Sequence, residues 1–184
     1  RGAWEGLAGM VRKSTRATGA QPPVEFRGQV IESGSWANAD LTERDFTKAT
    51  LIDANFAGAN LQRGNFNRTD LRRSDFQGAD LTLAFLVGAD LRGANFDGAR
   101  MDGAFLSGAR VAGASFRGAS LRQAMLGDID VRLEQRFDPP TTFQEADLTG
   151  ATFRAIDLNG VVFYKANLTN AYLYEARLAG ADLR

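Results

Sequence analysis

The 184-residue chain contains neither cysteine nor histidine. No disulfide, thiolate metal site, Cys–His or Ser–His nucleophile pair, or histidine acid–base step can therefore be built from it. Charge of one sign is also missing: 22 Lys and Arg stand against 22 Asp and Glu. That balance argues against a polyanion binder and against an acidic mimic of one. No apolar run approaches the 18 or so residues of a membrane span. There are four prolines, and the first residue is Arg1 rather than methionine, which points to processing or to a longer parent chain. What remains is 44% hydrophobic and 24% charged, with 20 glycines, the composition of a folded chain of one domain.

The dominant pattern is a period of five. From Phe26 a large apolar residue recurs at every fifth position through Ile31, Trp36, Leu41, Phe46 and onward to Val131, 22 repeats without a slip. A second run in a new phase starts at Phe143 and reaches Leu183, nine more. Two residues before each of these centres stands a small residue, usually alanine (Ala49, Ala54, Ala59). One residue before it is often Asp or Asn (Asp40, Asn60, Asp80, Asp90, Asn95).

Five is neither 3.6 nor 2, so a helix would smear the apolar residues round its surface and a long strand would alternate them between faces. A chain that turns a corner once per repeat keeps them together. The small residue and the centre, two apart, point inward, the residue between them points out, and the other two make the corner. Thirteen of the 20 glycines lie two residues after a centre, the bias expected where a corner needs positive φ. Trp36, Phe56, Phe76, Phe96 and Phe116 are 20 residues apart, as are Phe26, Phe46 and Phe66. One coil therefore has four sides, with aromatics in two opposite columns. About eight coils at the inter-strand spacing make a rod of about 37 Å. Between Val131 and Phe143 the spacing is 12 rather than five, so one side absorbs seven extra residues. Residues 133–142 are predicted to form a protruding loop, and Pro139 and Pro140 agree with that.

The units ANFAG, ANLQR, ADLTL, ADLRG, ANFDG and ANLTN resemble the pentapeptide-repeat family, over roughly residues 23–184. The resemblance implies an all-β solenoid, a right-handed quadrilateral β-helix with a dry core. The departures are Arg44, Ile129, Ile156 and Val161 at the small position. Residues 1–22 are read as a separate unit: a short amphipathic helix with Trp4, Leu7, Met10 and Val11 on one side, then a linker, capping the first coil. The last repeat ends at Arg184 without a cap, which suggests a cut chain or a coil that pairs with another subunit.

No catalytic, cofactor or metal constellation is found. The recurring Asp is read as a scaffold residue, and Asp128 and Asp130 lack the paired glycines of a calcium-binding β-helix. The sequons at Asn67 and Asn167 follow from the repeat itself. Arg72, Arg73, Arg92, Arg110 and Arg132 gather on one side with Asp70 and Asp90; ion pairing between coils is favoured over a phosphate contact.

More informative is the outward position on the side of Phe26, Phe46 and Phe66. It reads Glu25, Asp45, Asn65, then Phe85, Phe105, Met125, Thr152 and Tyr172, with Val87 and Tyr174 alongside. Such a strip marks a contact with a partner, a cover by another part of the chain, or a local register slip. Phe85, Val87, Phe105, Met125, Tyr172 and Tyr174 are the candidate interaction residues. Arg136, Phe137, Asp138, Pro139 and Pro140 are the candidate loop contact.

The expected function is a non-enzymatic scaffold that binds a protein partner, with self-association through the strip or the C-terminal coil as an option and no direct nucleic-acid contact. The alternative, drawn from the family, is a DNA-mimicking modulator of a type II topoisomerase conferring quinolone resistance. Cytoplasm is the favoured compartment, with export or an organelle lumen as the other possibilities.

Overall fold

A computed structural model describes residues 26–31, 33–133 and 139–184. The expected N-terminal helix, and Arg136, Phe137 and Asp138 of the loop, lie outside the described residues.

The backbone accounts for the period of five. Taking Asp70–Ser74, all five N–H groups are spoken for. Asp70 donates to Ala49 O of the preceding coil (2.9 Å), and Leu71 and Arg73 donate to Asp90 O and Arg92 O of the next (2.8 and 3.0 Å). Ser74 closes the corner on Leu71 O (3.2 Å). The fifth, on Arg72, donates to the Asp70 side chain at Oδ1 (3.3 Å). Similar side-chain caps serve Thr47, Ala57, Asn67, Gln77 and Thr149. This explains Asp and Asn before the centre: they satisfy the one donor that neither corner nor ladder reaches.

Each corner has positive φ at its third residue, as a type II turn requires. The 13 glycines picked out by phase adopt φ between 60° and 76°, and 16 other corners hold a non-glycine residue in the same region, Lys48 (58°), Leu83 (58°) and Gln123 (57°) among them.

Parallel bridges join residues 20 apart, from Val30–Thr50 to Arg110–Asp130, and define four walls. We number them by outward residues: wall 1 carries Thr50, Asp70, Asp90, Arg110 and Asp130; wall 2 Asn55, Asp75, Asn95 and Ser115; wall 3 Asn60, Asp80, Arg100 and Ser120; wall 4 Asn65, Phe85, Phe105 and Met125. Across the insertion the interval becomes 27 (Ser115–Thr142, Ser120–Asp147, Met125–Thr152) and then returns to 20. The solenoid is therefore continuous and one side carries seven extra residues, as the phase shift implied. The excursion is shorter at its C-terminal end than the predicted 133–142. Thr142 already pairs with Ser115, and buried Thr141 fills the alanine position, donating its hydroxyl to Val111 O (3.0 Å). Thr69 and Ser74 make the equivalent bond, to Phe46 O and Leu51 O.

The centres and small residues form one core along the rod. Trp36, Phe56, Phe76, Phe96, Phe116, Phe143 and Phe163 stack in one file at centroid spacings of 4.8–5.4 Å. Phe26, Phe46 and Phe66 stack on the opposite side at 4.6 and 4.5 Å. The files meet edge to face, as in Phe56–Phe66 at 6.1 Å, an arrangement favoured by the ring quadrupoles. Phe153 rejoins the second file, making edge contacts with Phe143 and Phe163 at 6.0 Å each.

Wall 1 is interrupted beyond Asp130. The bridge from Asp130 to Asp157 is absent, and no backbone bond links Val131 N–H to Asp157 O or Asp157 N–H to Ile129 O. The corner bond that Ile156 would close on Phe153 O is absent too. Both isoleucines are buried in consecutive coils at a position that Ala109 occupies in the coil before and Ala176 in the coil after. The open rung thus lies beside two branched side chains at a position where the neighbouring coils hold alanine.

Candidate functional site

Wall 4 gathers the predicted contact residues in one line. Successive bridges run Asn65–Phe85, Phe85–Phe105, Phe105–Met125, Met125–Thr152 and Thr152–Tyr172, so the strip lies in register and no slip occurs. The Phe85 and Phe105 rings stack outside the core at 5.0 Å and 7°, while Leu86, Leu106 and Leu126 fill the interior behind them. Phe85 is 39% exposed and Met125 47%; Phe105 is partly buried, and Val87, Tyr172 and Tyr174 are exposed. Thr152 separates the two tyrosines from the Phe85–Met125 patch.

Leu83 belongs to the same surface and was missed in the sequence. It occupies a corner where glycine is common, is 41% exposed, and leans over the next coil, its Cδ2 lying 2.8 Å from where a Gly103 side chain would start. Its signal was a leucine at a corner position, two residues before Phe85. Glycines at 88, 103, 108 and 127 add no side chain of their own at the margins of the strip, and Leu83 covers the place at Gly103. On one margin the Arg68 stem runs across Gly88 (Cγ 3.7 Å from a Cβ built there).

Pro139 and Pro140 of the candidate loop are exposed. Pro139 places its carbonyl oxygen 3.3 Å from a Cβ built at Gly113, so the returning chain rests on that corner.

The arginines of wall 1 are engaged in ion pairs. Arg72 grips Asp70 through two bonds (2.9 and 2.7 Å), and Arg132 grips Asp130 likewise (2.8 and 3.0 Å). Arg92 and Arg110 both reach Asp90, and Arg73 spans one coil to Asp53 (2.8 Å). Burial alone would raise the Asp90 pKa, but the bonds from Arg92 and the Arg110 charge outweigh it and hold the carboxyl below 3.8. In Asp130 the Arg132 hydrogen bond dominates and lowers the pKa.

Two depressions open to solvent flank the wall 1 fault: about 340 Å³ lined by residues including Asp128, Asp130, Arg132 and Asp157, and about 660 Å³ lined by residues including Asp157, Glu175 and Arg177. The rod is thus less uniformly convex than its repeat suggested. Among the described residues no group of Asp and Glu is placed to hold a metal ion, and no helix is long and apolar enough to cross a membrane.

A comparison with curated proteins returns no significant match. Among solved structures, full-length QnrB1, a plasmid-mediated fluoroquinolone resistance protein, is 18% identical with a TM-score of 0.48, covering 84% of this chain and 86% of its own. HetL of Nostoc sp. strain PCC 7120, involved in heterocyst differentiation regulation, is 23% identical with a TM-score of 0.33, covering 86% and 90%. A protein from the Arabidopsis thaliana thylakoid lumen is 25% identical with a TM-score of 0.39, covering 69% and 66%. The family model for pentapeptide repeats matches eight copies, in residues 37–73, 49–86, 69–108 and 143–184. Those matches span more than half of the sequence and coincide with the coils described above, and the chain belongs to the pentapeptide-repeat family.

Proposed function

We propose that this chain is a non-enzymatic protein-interaction scaffold. In this reading it is a right-handed rod of about eight coils, capped at one end by residues 1–22, that offers wall 4 to a protein partner. Phe85, Val87, Phe105 and Met125 form the main contact, with Leu83 beside them. Tyr172 and Tyr174 extend it, and the loop from Arg136 to Pro140 is a second contact. The observation that carries the reading is the Phe85–Phe105 stack on the outer ladder, where the two preceding coils place Asp45 and Asn65. Rings stacked on the outer ladder, while leucines already fill the core behind them, leave apolar surface in water for only about 1 kcal/mol of folding stability, the pattern of an interface.

The double substitution Phe85→Ser and Phe105→Ser tests this. Thermal unfolding should shift by no more than a surface pair allows, about 1 kcal/mol. Association in native extract, followed by crosslinking and by light scattering for self-association, should be lost. Unchanged association would discard the strip as the contact. A topoisomerase modulator fits less well, because 22 basic and 22 acidic residues leave no net charge with which to imitate DNA. A supercoiling assay with purified gyrase checks it directly.

A further inference from the structure

Resting on the scaffold reading, the geometry of wall 4 also restricts what can sit there. An occupant that touches Phe85, Phe105 and Met125 together must run along the rod, across the strands. Its side chains must then repeat near the rung spacing, which the two rings set at 5.0 Å. An extended segment presents same-face side chains about 6.7 Å apart and is out of step by the third rung. The apolar face of an α-helix, at i, i+3 or i+4, and i+7, advances about 5.3 Å per contact and stays in step.

Gly108, with nothing within 4 Å of a built Cβ, leaves one margin open, and Leu83, which lies over Gly103, and Val87 supply apolar flanks. Charge sets the direction. Arg68 is exposed, its stem crosses Gly88 beside Phe85, and among the described residues it has no ion-pair partner. At the other end of the patch exposed Asp128 and Arg154 balance each other in charge. We propose that wall 4 seats one amphipathic α-helix of a protein partner, lying along the rod with its acidic end over Arg68.

The probe is a synthetic amphipathic peptide of about 14 residues. It carries leucines at i, i+3 and i+7 and two glutamates at one end; a second version carries lysines in their place. Each is titrated against the full chain by fluorescence anisotropy, with neutral and anionic lipid vesicles in parallel. The glutamate peptide should bind more tightly than the lysine peptide. Phe105→Ser or Met125→Glu, each checked for unchanged thermal unfolding, should weaken it about tenfold or more. Arg68→Glu should reverse the preference between the two peptides.

Three outcomes overturn the proposal: no peptide binding up to about 1 mM, equal binding of the two peptides, or binding to vesicles with none to peptide. If Phe85→Ser/Phe105→Ser abolishes native association while the peptides fail to bind, the helix seat falls and the scaffold stands. If native association ignores the strip as well, both fall.

Discussion

At the residue scale the fold depends on how the corner is staffed. Glycine pays no steric cost at positive φ, whereas another L-residue there costs about 1–3 kcal/mol in general and less for Asn or Asp. Gly98 (φ 65°) has nothing within 4 Å of a built Cβ, so Gly98→Ala isolates the backbone cost. It should lower unfolding free energy by about 1 kcal/mol. Lys48 (φ 58°) reverses the experiment: Lys48→Gly should gain about 0.5–1 kcal/mol, because the strain relieved exceeds the added chain entropy. Denaturant midpoints measure both, and a gain from Gly98→Ala would contradict the turn geometry. Gly34 is needed for a different reason. A Cβ there would fall 2.3 Å from the Trp36 ring, so this small position carries glycine to make room for tryptophan.

At the element scale the repeat was legible because five-residue spacing, glycine phase and aromatic spacing all report the same corner. Phe143 and Phe163 could be assigned to the Trp36 file from numbers alone, and the outward strip from Phe85 to Met125 followed from the same register. Three features were not legible. Thr141 was read as loop because threonine at an alanine position gives no sign that its hydroxyl will find Val111 O. Leu83 passed as a corner residue, since sequence shows its position but not the lean over Gly103. The departures Ile129 and Ile156 were visible, but their consequence was not. A branched residue at the small position need not break a wall, since Val161 keeps its corner bond to Leu158 O, and only the three-dimensional wall shows the ladder open between Asp130 and Asp157. That fault predicts local hydrogen exchange. The amides of Val131 and Asp157, lacking ladder acceptors, should exchange much faster than those of Val111 and Leu158, which donate to Asp130 O and Arg177 O at 2.7 and 2.8 Å. Equal protection at the four sites would show the ladder to be closed.

At the scale of the whole molecule, several carboxylates among the described residues are satisfied locally by arginines. Asp53, Asp90, Asp130 and Asp182 are held below the ordinary carboxyl pKa by arginines within one coil, the last to about 2 by its bonds from Arg184. A carboxyl with a depressed folded pKa contributes stability above its unfolded value of 3.8 and loses it as pH falls through the folded value. With no histidine or cysteine in the chain, stability should be flat from about pH 5.5 to 8 and decline from about pH 4 toward pH 2. Thermal unfolding across that range measures it, and a transition near pH 6.5 would contradict the assignment.

The central claim is the register, 20 residues per coil and 27 across the insertion, because wall 4 exists as one surface only if it holds. The absence of native cysteine makes a direct measurement possible. In Ser120→Cys/Asp147→Cys the two residues face each other on adjacent coils, within the Cα range a disulfide spans, and the pair should oxidise readily. In Ser120→Cys/Pro140→Cys, 20 residues apart by number, Pro140 belongs to the excursion and not to the coil stacked on Ser120, and the pair should stay reduced under the same conditions. Crosslinking of the second pair in preference to the first would contradict the account.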